Sequence, residues 1–258
     1  MKKVFALILT LAFVCFAFAA CGNGKTDSTT AAATIPTTTA ATTAATTAAP
    51  TDAPASTTVF VTIVTSDHSV VLPYAEITAV DLNGDAKINI AEALTAAHAT
   101  CPAGTDGFGA EESMFGLSMT KLWGETNNGS FGYFVNEESP MSLDDEVAAG
   151  DRIVAFAFSD SETYSDTFCY FDVKKASVNA GETVTLVLTA LQYDANDNWA
   201  LKALPLSDAA ITVNGEASAY VTDANGSVTL TLPAGNYVIS ATSSTLNLVP
   251  PISLIEVK

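Results

Sequence analysis

Thr222-Asp223-Ala224-Asn225-Gly226-Ser227-Val228-Thr229-Leu230-Thr231-Leu232-Pro233-Ala234-Gly235-Asn236-Tyr237 reads as a turn, a strand, a second turn and the start of another strand. Asp, Asn and Gly favour the turn because their side chains bond local backbone or tolerate positive φ. Val228, Leu230 and Leu232 alternate with Thr229 and Thr231, which puts one face of a strand in a core. The same grammar runs outward in both directions. Glu182–Tyr193 alternates as a long strand, and Asp194-Ala195-Asn196-Asp197-Asn198 closes it as a turn. Ala210–Val213 leads into Asn214-Gly215, a two-residue hairpin signal. Ala217–Thr222 and Asn236–Ala241 are the next strands. Residues 176–258 are therefore expected to form an all-β sandwich, with Val173-Lys174-Lys175-Ala176 as the hinge before it.

The run Thr-Asp-x-Asn-Gly, a strand, then Leu-Pro-x-Gly-x-Tyr resembles prealbumin-like and bacterial Ig-like modules, including carboxypeptidase regulatory-like repeats. The resemblance implies a fold and almost nothing about activity. Asp194, Asn196, Asp197 and Asp223 read as turn formers before they read as a second cation site.

Residues 59–172 read as an α+β domain, mostly β with one short helix. Val59–Val64 and Ala75–Val80 are strands, and Ile90–Thr100 is the helix. Between them lies Asp81-Leu82-Asn83-Gly84-Asp85-Ala86-Lys87-Ile88-Asn89-Ile90-Ala91-Glu92. Numbered from Asp81, oxygen side chains fall at positions 1, 3, 5, 9 and 12. A hard cation takes six to eight oxygens, and alternate residues of a tight loop point inward. Asp81, Asn83, Asp85, Asn89, the Lys87 carbonyl and Glu92 are the candidate ligands, calcium is the expected cation, and Ile88 anchors the loop to the core. The spacing resembles EF-hand and dockerin loops. Ala86 stands where those loops prefer Gly, at a cost of about 1 kcal/mol for positive φ. An Asx-rich turn before a helix has the same composition. His98 shares a helix face with Leu94 and Ala97 and reads as packed. His68 lies in a turn.

Thr105–Phe115 is Gly-rich and acidic and is expected to be a loop. Leu117–Trp123 is a strand, Trp123–Ser130 a turn, Phe131–Asn136 a strand, and Gly150-Asp151 turns into Arg152–Phe158. The aromatic strand ending in Val135-Asn136 and the Gly-Asp turn resemble the transcobalamin-like C-terminal domain family, with Glu137 where the family has Gly. The resemblance spans about residues 59–172 and implies a compact α+β domain of the kind found on bacterial surfaces. Corrinoid binding does not carry over, because the helical partner domain is missing. Trp123, Phe131, Tyr133, Phe134, Tyr164, Phe168, Tyr170 and Phe171 are core by default. Trp123 and Tyr133 are also candidates to border a ligand groove, where an aromatic face stacks on a carbohydrate or peptide.

The N-terminus reads as an address. Lys2 and Lys3 precede an apolar run from Val4 to Ala20, and Phe18-Ala19-Ala20-Cys21 resembles a lipoprotein lipobox. Residues 1–20 are then a signal peptide and Cys21 the lipidated residue. An ordinary secretory signal cut near Ala20 is the alternative. Residues 21–58 carry the lipid and a stalk. From Thr26 to Thr58 the chain is almost wholly Thr, Ala and Pro, with no aromatic residue and no apolar period, so it buries too little to offset chain entropy. A disordered stalk of that length spans roughly 30 Å. The expected location is the extracytoplasmic face of a bacterial membrane, lipid-anchored at the cell surface.

Charge and composition exclude several functions. The chain of 258 residues has 10 Lys and Arg against 28 Asp and Glu, a net charge of −18. Removing residues 1–20 leaves 8 cations against 28 acids, or −20. Such a chain has no basic face for nucleic acid. It carries no Gly-x-Ser-x-Gly, His-Glu-x-x-His, P-loop or dinucleotide fingerprint, so no catalytic residue is assigned. Cys101 and Cys169 remain as a candidate disulfide in an oxidising compartment. Three functions fit: a non-enzymatic binding or adhesion module for an extracellular glycan or protein, a polysaccharide-active enzyme or its accessory subunit, and a solute-capturing lipoprotein of a transporter.

Overall fold

The computed structural model describes residues 55–194 and 200–258. The signal peptide, Cys21, the stalk through residue 54 and Ala195–Trp199 lie outside the described residues.

The first half contains β1 (Ser56–Val64), β2 (Val70–Val80), α1 (Ile90–Ala97), β3 (Gly109–Ser113), β4 (Gly116–Lys121), β5 (Phe131–Val135) and β6 (Arg152–Ala157). Its main sheet has the order β2-β1-β6-β5. β1 and β2 form an antiparallel hairpin, while β1 and β6 run parallel from Phe60↔Arg152 to Val64↔Phe156. A parallel pair needs a long crossover. The segment from α1 through β5 supplies it. Strand alternation gives this sheet two packed faces. Val59, Val61, Ile63, Ile153 and Ala155 point to one side and pack with Ile90, Ala93, Leu94 and Ala97 of α1. Val64 and Phe156 point to the other side and meet Val249 from the C-terminal half.

β1 starts at Ser56, so the last residues assigned to the stalk are paired strand, with Thr57 opposite Ala79. α1 stops at Ala97, and His98–Thr100 continue as a 3₁₀ turn. Pro102 follows and disfavours helical φ and ψ at Cys101, which is extended. Gly109–Ser113, expected to be loop, is a strand paired with β4. Glu111, Glu112 and Ser113 are exposed, so ladder hydrogen bonds rather than burial hold it, and no alternation announced it.

The second half contains β7 (Asp166–Thr167), β8 (Cys169–Phe171), β9 (Lys175–Val178), β10 (Thr183–Asp194), β11 (Ala200–Pro205), β12 (Ala210–Val213), β13 (Glu216–Val221), β14 (Ser227–Thr231), β15 (Gly235–Thr242), β16 (Asn247–Leu248) and β17 (Ser253–Val257). Two sheets form a sandwich. In one, β10 pairs with β11, β14 and β8. The other has the order β13-β12-β15-β17-β9, with β9 and β17 parallel. Val184, Leu186, Leu188 and Ala190 of β10, Val228 and Leu230 of β14, and Ile211, Ile239, Ala241, Ile255 and Val257 of the facing sheet fill the space between. Asn214 and Gly215 both sit at positive φ, as a type I′ hairpin requires.

The sandwich reaches upstream of residue 176. β8 pairs Phe171 with Leu188, and Phe171 is fully buried in the sandwich core. The segment expected to be a hinge is tied down: β9 begins at Lys175, and Lys174 Nζ is 2.9 Å from Glu137 Oε1. β7 pairs with β16, and the Phe134 and Phe168 rings stack at 3.8 Å between centroids. The described residues belong to one compact unit.

Candidate functional site

The Asp81–Glu92 loop is built on its own backbone. Asp81 Oδ1 accepts from Gly84 N–H at 2.6 Å, and Oδ2 from Ala86 N–H at 2.8 Å. These bonds, Gly84's first, hold the Asp81 carboxyl below the ordinary range. Asp85 Oδ1 accepts from Lys87 N–H at 2.8 Å, and Asn83 Oδ1 from Asp85 N–H at 2.9 Å. Glu92 does two jobs. Its Oε1 accepts from Leu82 N–H at 2.7 Å, closing the loop. Its Oε2 accepts from Asn89 N–H while Asn89 Oδ1 accepts from Glu92 N–H, a capping box that starts α1. Ile88 is buried, as its position requires. Ala86 has φ +64, the left-handed conformation expected at loop position 6. Lys87 turns its ammonium outward to Glu146 at 3.0 Å.

The fit to a cation is therefore split. The backbone has the turn and closure of a ring. The carboxylates are spent on backbone N–H groups, and among the described residues no three Asp, Glu, His or Cys side chains converge as a ligand group. A carboxylate oxygen has more than one acceptor site, so Asp81 Oδ2, Asp85 Oδ1 and the two Glu92 oxygens, with one N–H each, keep capacity for a cation, whereas Asp81 Oδ1 already accepts from both Asn83 and Gly84 N–H.

The aromatic residues sort differently from the default. Trp123 and Tyr133 are half-buried against the α1 core, with Trp123 5.4 Å from the His98 ring. They do not line the clefts described below. His98 is fully buried, bonds Leu94 O through Nδ1 at 2.7 Å and accepts from Trp123 N–H at Nε2. That makes it a neutral packing residue whose pKa burial lowers. Tyr164, expected in the core, is 55% exposed, and Tyr193 is 69% exposed. Both line a cleft of about 610 Å³ with Phe158, Leu201, Thr163, Ser165 and Gln192.

A polar turn holds Tyr164 in that cleft. Asp160 accepts from the N–H groups of Glu162 and Thr163 at 3.0 Å each and from the hydroxyls of Thr163 and Ser165. The Thr163 hydroxyl leads in driving the Asp160 carboxyl down to about 2. Tyr164 itself sits at φ +53 with its ring edge-on to Phe158 at 5.1 Å. A bulky residue in the left-handed region is strained, and such strain concentrates at functional positions. The sequence signal was a lone aromatic within Asp160–Asp166, otherwise wholly polar.

A second cleft of about 760 Å³ lies where the β1–β2 turn meets β12 and β15. His68 opens onto it, with Nε2 2.9 Å from the enclosed Asp166 carboxylate. Asp166 also accepts from Ser159 N–H and Oγ–H, which makes it a clamp on the turn before β7.

Cys101 and Cys169 do not pair. Both are buried free thiols. Cys101 lies beside His98 and Gly107 at the end of α1, whereas Cys169 is in the sandwich core with Sγ donating to Val249 O at 3.3 Å. Burial pushes the Cys169 thiol pKa far up, so it is unreactive.

No family model and no curated protein matches this chain. Among solved structures, it is similar to fibronectin(III)-like modules of Clostridium thermocellum CbhA, at 15% identity over 58% of this chain and 76% of that one, TM-score 0.28. It is similar to the four N-terminal Ig domains of Dscam1 isoform 7.44, at 9% identity over 81% of this chain and 47% of that one, TM-score 0.23. The tandem Ig repeats of Dlar overlap at 13% identity over 59% of this chain and 76% of that one, TM-score 0.22. The sandwich assignment rests on the strand pairing and core given above.

Proposed function

We propose that this chain is a non-enzymatic cell-surface binding module that takes a saccharide in the Tyr164–Tyr193 cleft. A lipid on Cys21 holds it at the extracytoplasmic face of a bacterial membrane, and the chain from residue 22 to the start of β1 at Ser56 spaces it from the bilayer. The exposed aromatic pair carries the reading. Sugar rings present C–H faces that stack on Tyr, the Gln192 amide can donate to and accept from the sugar's hydroxyls, and the Thr163 and Ser165 oxygens, whose protons go to Asp160, can accept from them. The Cys21→Ala chain, expected in the medium rather than the membrane fraction, provides the reagent. Laid over an array of bacterial and plant polysaccharides, it should bind a defined subset without turnover. Tyr164→Ala and Tyr193→Ala should each weaken that binding by about fivefold to tenfold. Release of shortened product would favour the polysaccharide-active alternative instead. Uniform silence on the array, with free small solutes bound, would favour solute capture.

Calcium belongs to the same proposal as a structural ion. Asp81, Asn83, Asp85, Asn89 and Glu92 with the Lys87 carbonyl would hold it, supported by the donor set and by Ala86 at positive φ. A lone extracellular loop suits an affinity of roughly 0.1–1 mM. Binding to the folded state alone stabilises by about 1.4 kcal/mol at ten times Kd. Melting should therefore rise by about 3–5 °C in calcium over chelator. Glu92→Gln should blunt the shift, and Asp223→Asn should leave it intact. Equal midpoints in calcium and chelator would leave Asp81–Glu92 as an Asx turn and capping box only.

A further inference from the structure

Three large apolar side chains stand in solvent at one end of the first half: Met114 is 88% exposed, Phe115 72% and Met141 80%. Met114 and Phe115 form the tip of the β3–β4 hairpin, between the paired residues Ser113 and Gly116. The tip is a hydrogen-bonded turn. Ser113 Oγ donates to Gly116 O at 2.7 Å and accepts from Phe115 N–H at 3.1 Å. Met141 reaches the same end because its loop is laced to β4. Leu117 N–H donates to Ser142 Oγ at 2.9 Å, and Leu143 N–H to Leu117 O at 3.0 Å. An apolar group displayed this way is a docking surface or a solubility liability. Met and Phe adapt to a pocket and dominate contact energy once buried.

The rim says what kind of surface fits. Glu111, Glu112, Glu138, Asp144, Asp145 and Glu146 surround the tip in sequence, and neither 109–120 nor 138–147 contains Lys or Arg. Glu146 pairs with Lys87 at 3.0 Å. We infer that the Met114–Phe115–Met141 tip docks a partner protein whose apolar pocket is rimmed by Lys or Arg. A second copy would set acidic rim against acidic rim, and an anionic lipid surface meets the same repulsion. Charge complementarity thus selects a basic protein surface. This tip shares no residue with the Tyr164–Tyr193 cleft, so the two proposals stand or fall separately.

Photo-crosslinking on cells that carry the protein provides the test. A benzophenone amino acid replaces Phe115, and in a control chain it replaces the exposed Glu216. The expected result is an adduct with one protein from position 115 and none from position 216. That protein, purified, should bind the full mature chain with an affinity that falls as salt is raised. Met114→Ser with Phe115→Ser should weaken it by about tenfold or more, without lowering the melting midpoint. Glu111→Lys with Glu112→Lys should also weaken it, and Phe115→Leu should not. Adducts only with lipid, adducts only with another copy, no adduct, or binding indifferent to salt and to these substitutions would each overturn the inference.

Discussion

Gly226→Ala should lower the melting midpoint of the folded chain by about 10 °C, the equivalent of roughly 3–4 kcal/mol in a domain of this size. Two costs add. Gly226 sits at φ +71, where an L side chain costs about 1–2 kcal/mol. A Cβ there would also lie 2.4 Å from the Leu188 carbonyl oxygen and 3.1 Å from Leu206 N, both backbone atoms that cannot step aside alone. Leu188 is the joint of the sandwich. It follows the stretch of β10 paired with β14 and precedes the stretch paired with β11. Its N–H donates to Gly226 O at 2.8 Å and its carbonyl accepts from Leu206 N–H at 2.9 Å. Moving it would loosen both. Gly215→Ala is the control: φ is +81 but nothing lies within 4 Å of the new methyl. It should cost only about 1 kcal/mol, or about 3 °C. Equal losses in the two variants would show that backbone conformation alone matters and that the Leu188 contact does not.

Glu137→Gln should cost about 2–3 kcal/mol, at the lower edge for broken buried ion pairs because these side chains keep some solvent contact. Glu137 lies 2.8 Å from Arg152 Nη2 and 2.9 Å from Lys174 Nζ. Removing its charge leaves two cations facing each other in a part-enclosed site. Burial pushes the Glu137 carboxyl up, but hydrogen bonds from Arg152 and Lys174 outweigh it and the net is below the ordinary value. Lys174 is also lowered, chiefly by burial, which the Glu137 contact only partly offsets, and Arg152 adds a smaller repulsion. Geometry decides for a charged pair at neutral pH, since Lys174 Nζ also donates to Phe171 O and lies 4.5 Å from the Tyr170 ring centroid. A depressed carboxyl stabilises the fold above its unfolded pKa. That contribution should fade as pH falls through the lower folded value, and Glu137→Gln should lose this part of the acid dependence. Glu137 also sits at φ +69, next to Asn136 at +49, in a turn that suits glycine. Glu137→Gly should therefore lose about 1 kcal/mol less than Glu137→Gln. A melting curve for Glu137→Gln that overlays wild type would remove the network from the stability account.

The odd residue at position 137 shows how sequence and structure divide the explanation. The strand and the turn after Val135 were legible because both are local: an aromatic run and an Asn at its end. That a Glu occupies the strained position is explained only by Arg152 and Lys174, which lie 15 and 37 positions along the chain. The aromatic residues divide the same way. Phe171 and Phe168 are buried as their apolar neighbours imply, while Tyr164 is turned outward by Asp160 and its hydrogen bonds. The Asp81–Glu92 pattern was legible as a loop that starts a helix. The choice between cation ligands and backbone acceptors is a matter of which way each carboxylate turns.

Sequence by itself determined the parts whose cause lies within a few residues. Alternation over β10, β14 and β15 sets which face is buried, Asn214-Gly215 and Asp223–Gly226 set the turns, and Asn89 with Glu92 sets where α1 begins. Tertiary structure alone decided the parts whose cause is a distant partner. β3 is a strand because β4 offers it a ladder, and β8 joins the sandwich because Phe171 fits beside Leu188. Cys101 and Cys169 stay apart because each is packed in a different place. The Tyr164–Tyr193 cleft and the Met114–Phe115–Met141 tip each assemble from segments that are far apart in the chain. Local backbone preference is written residue by residue, whereas burial and pairing depend on what the rest of the chain brings alongside.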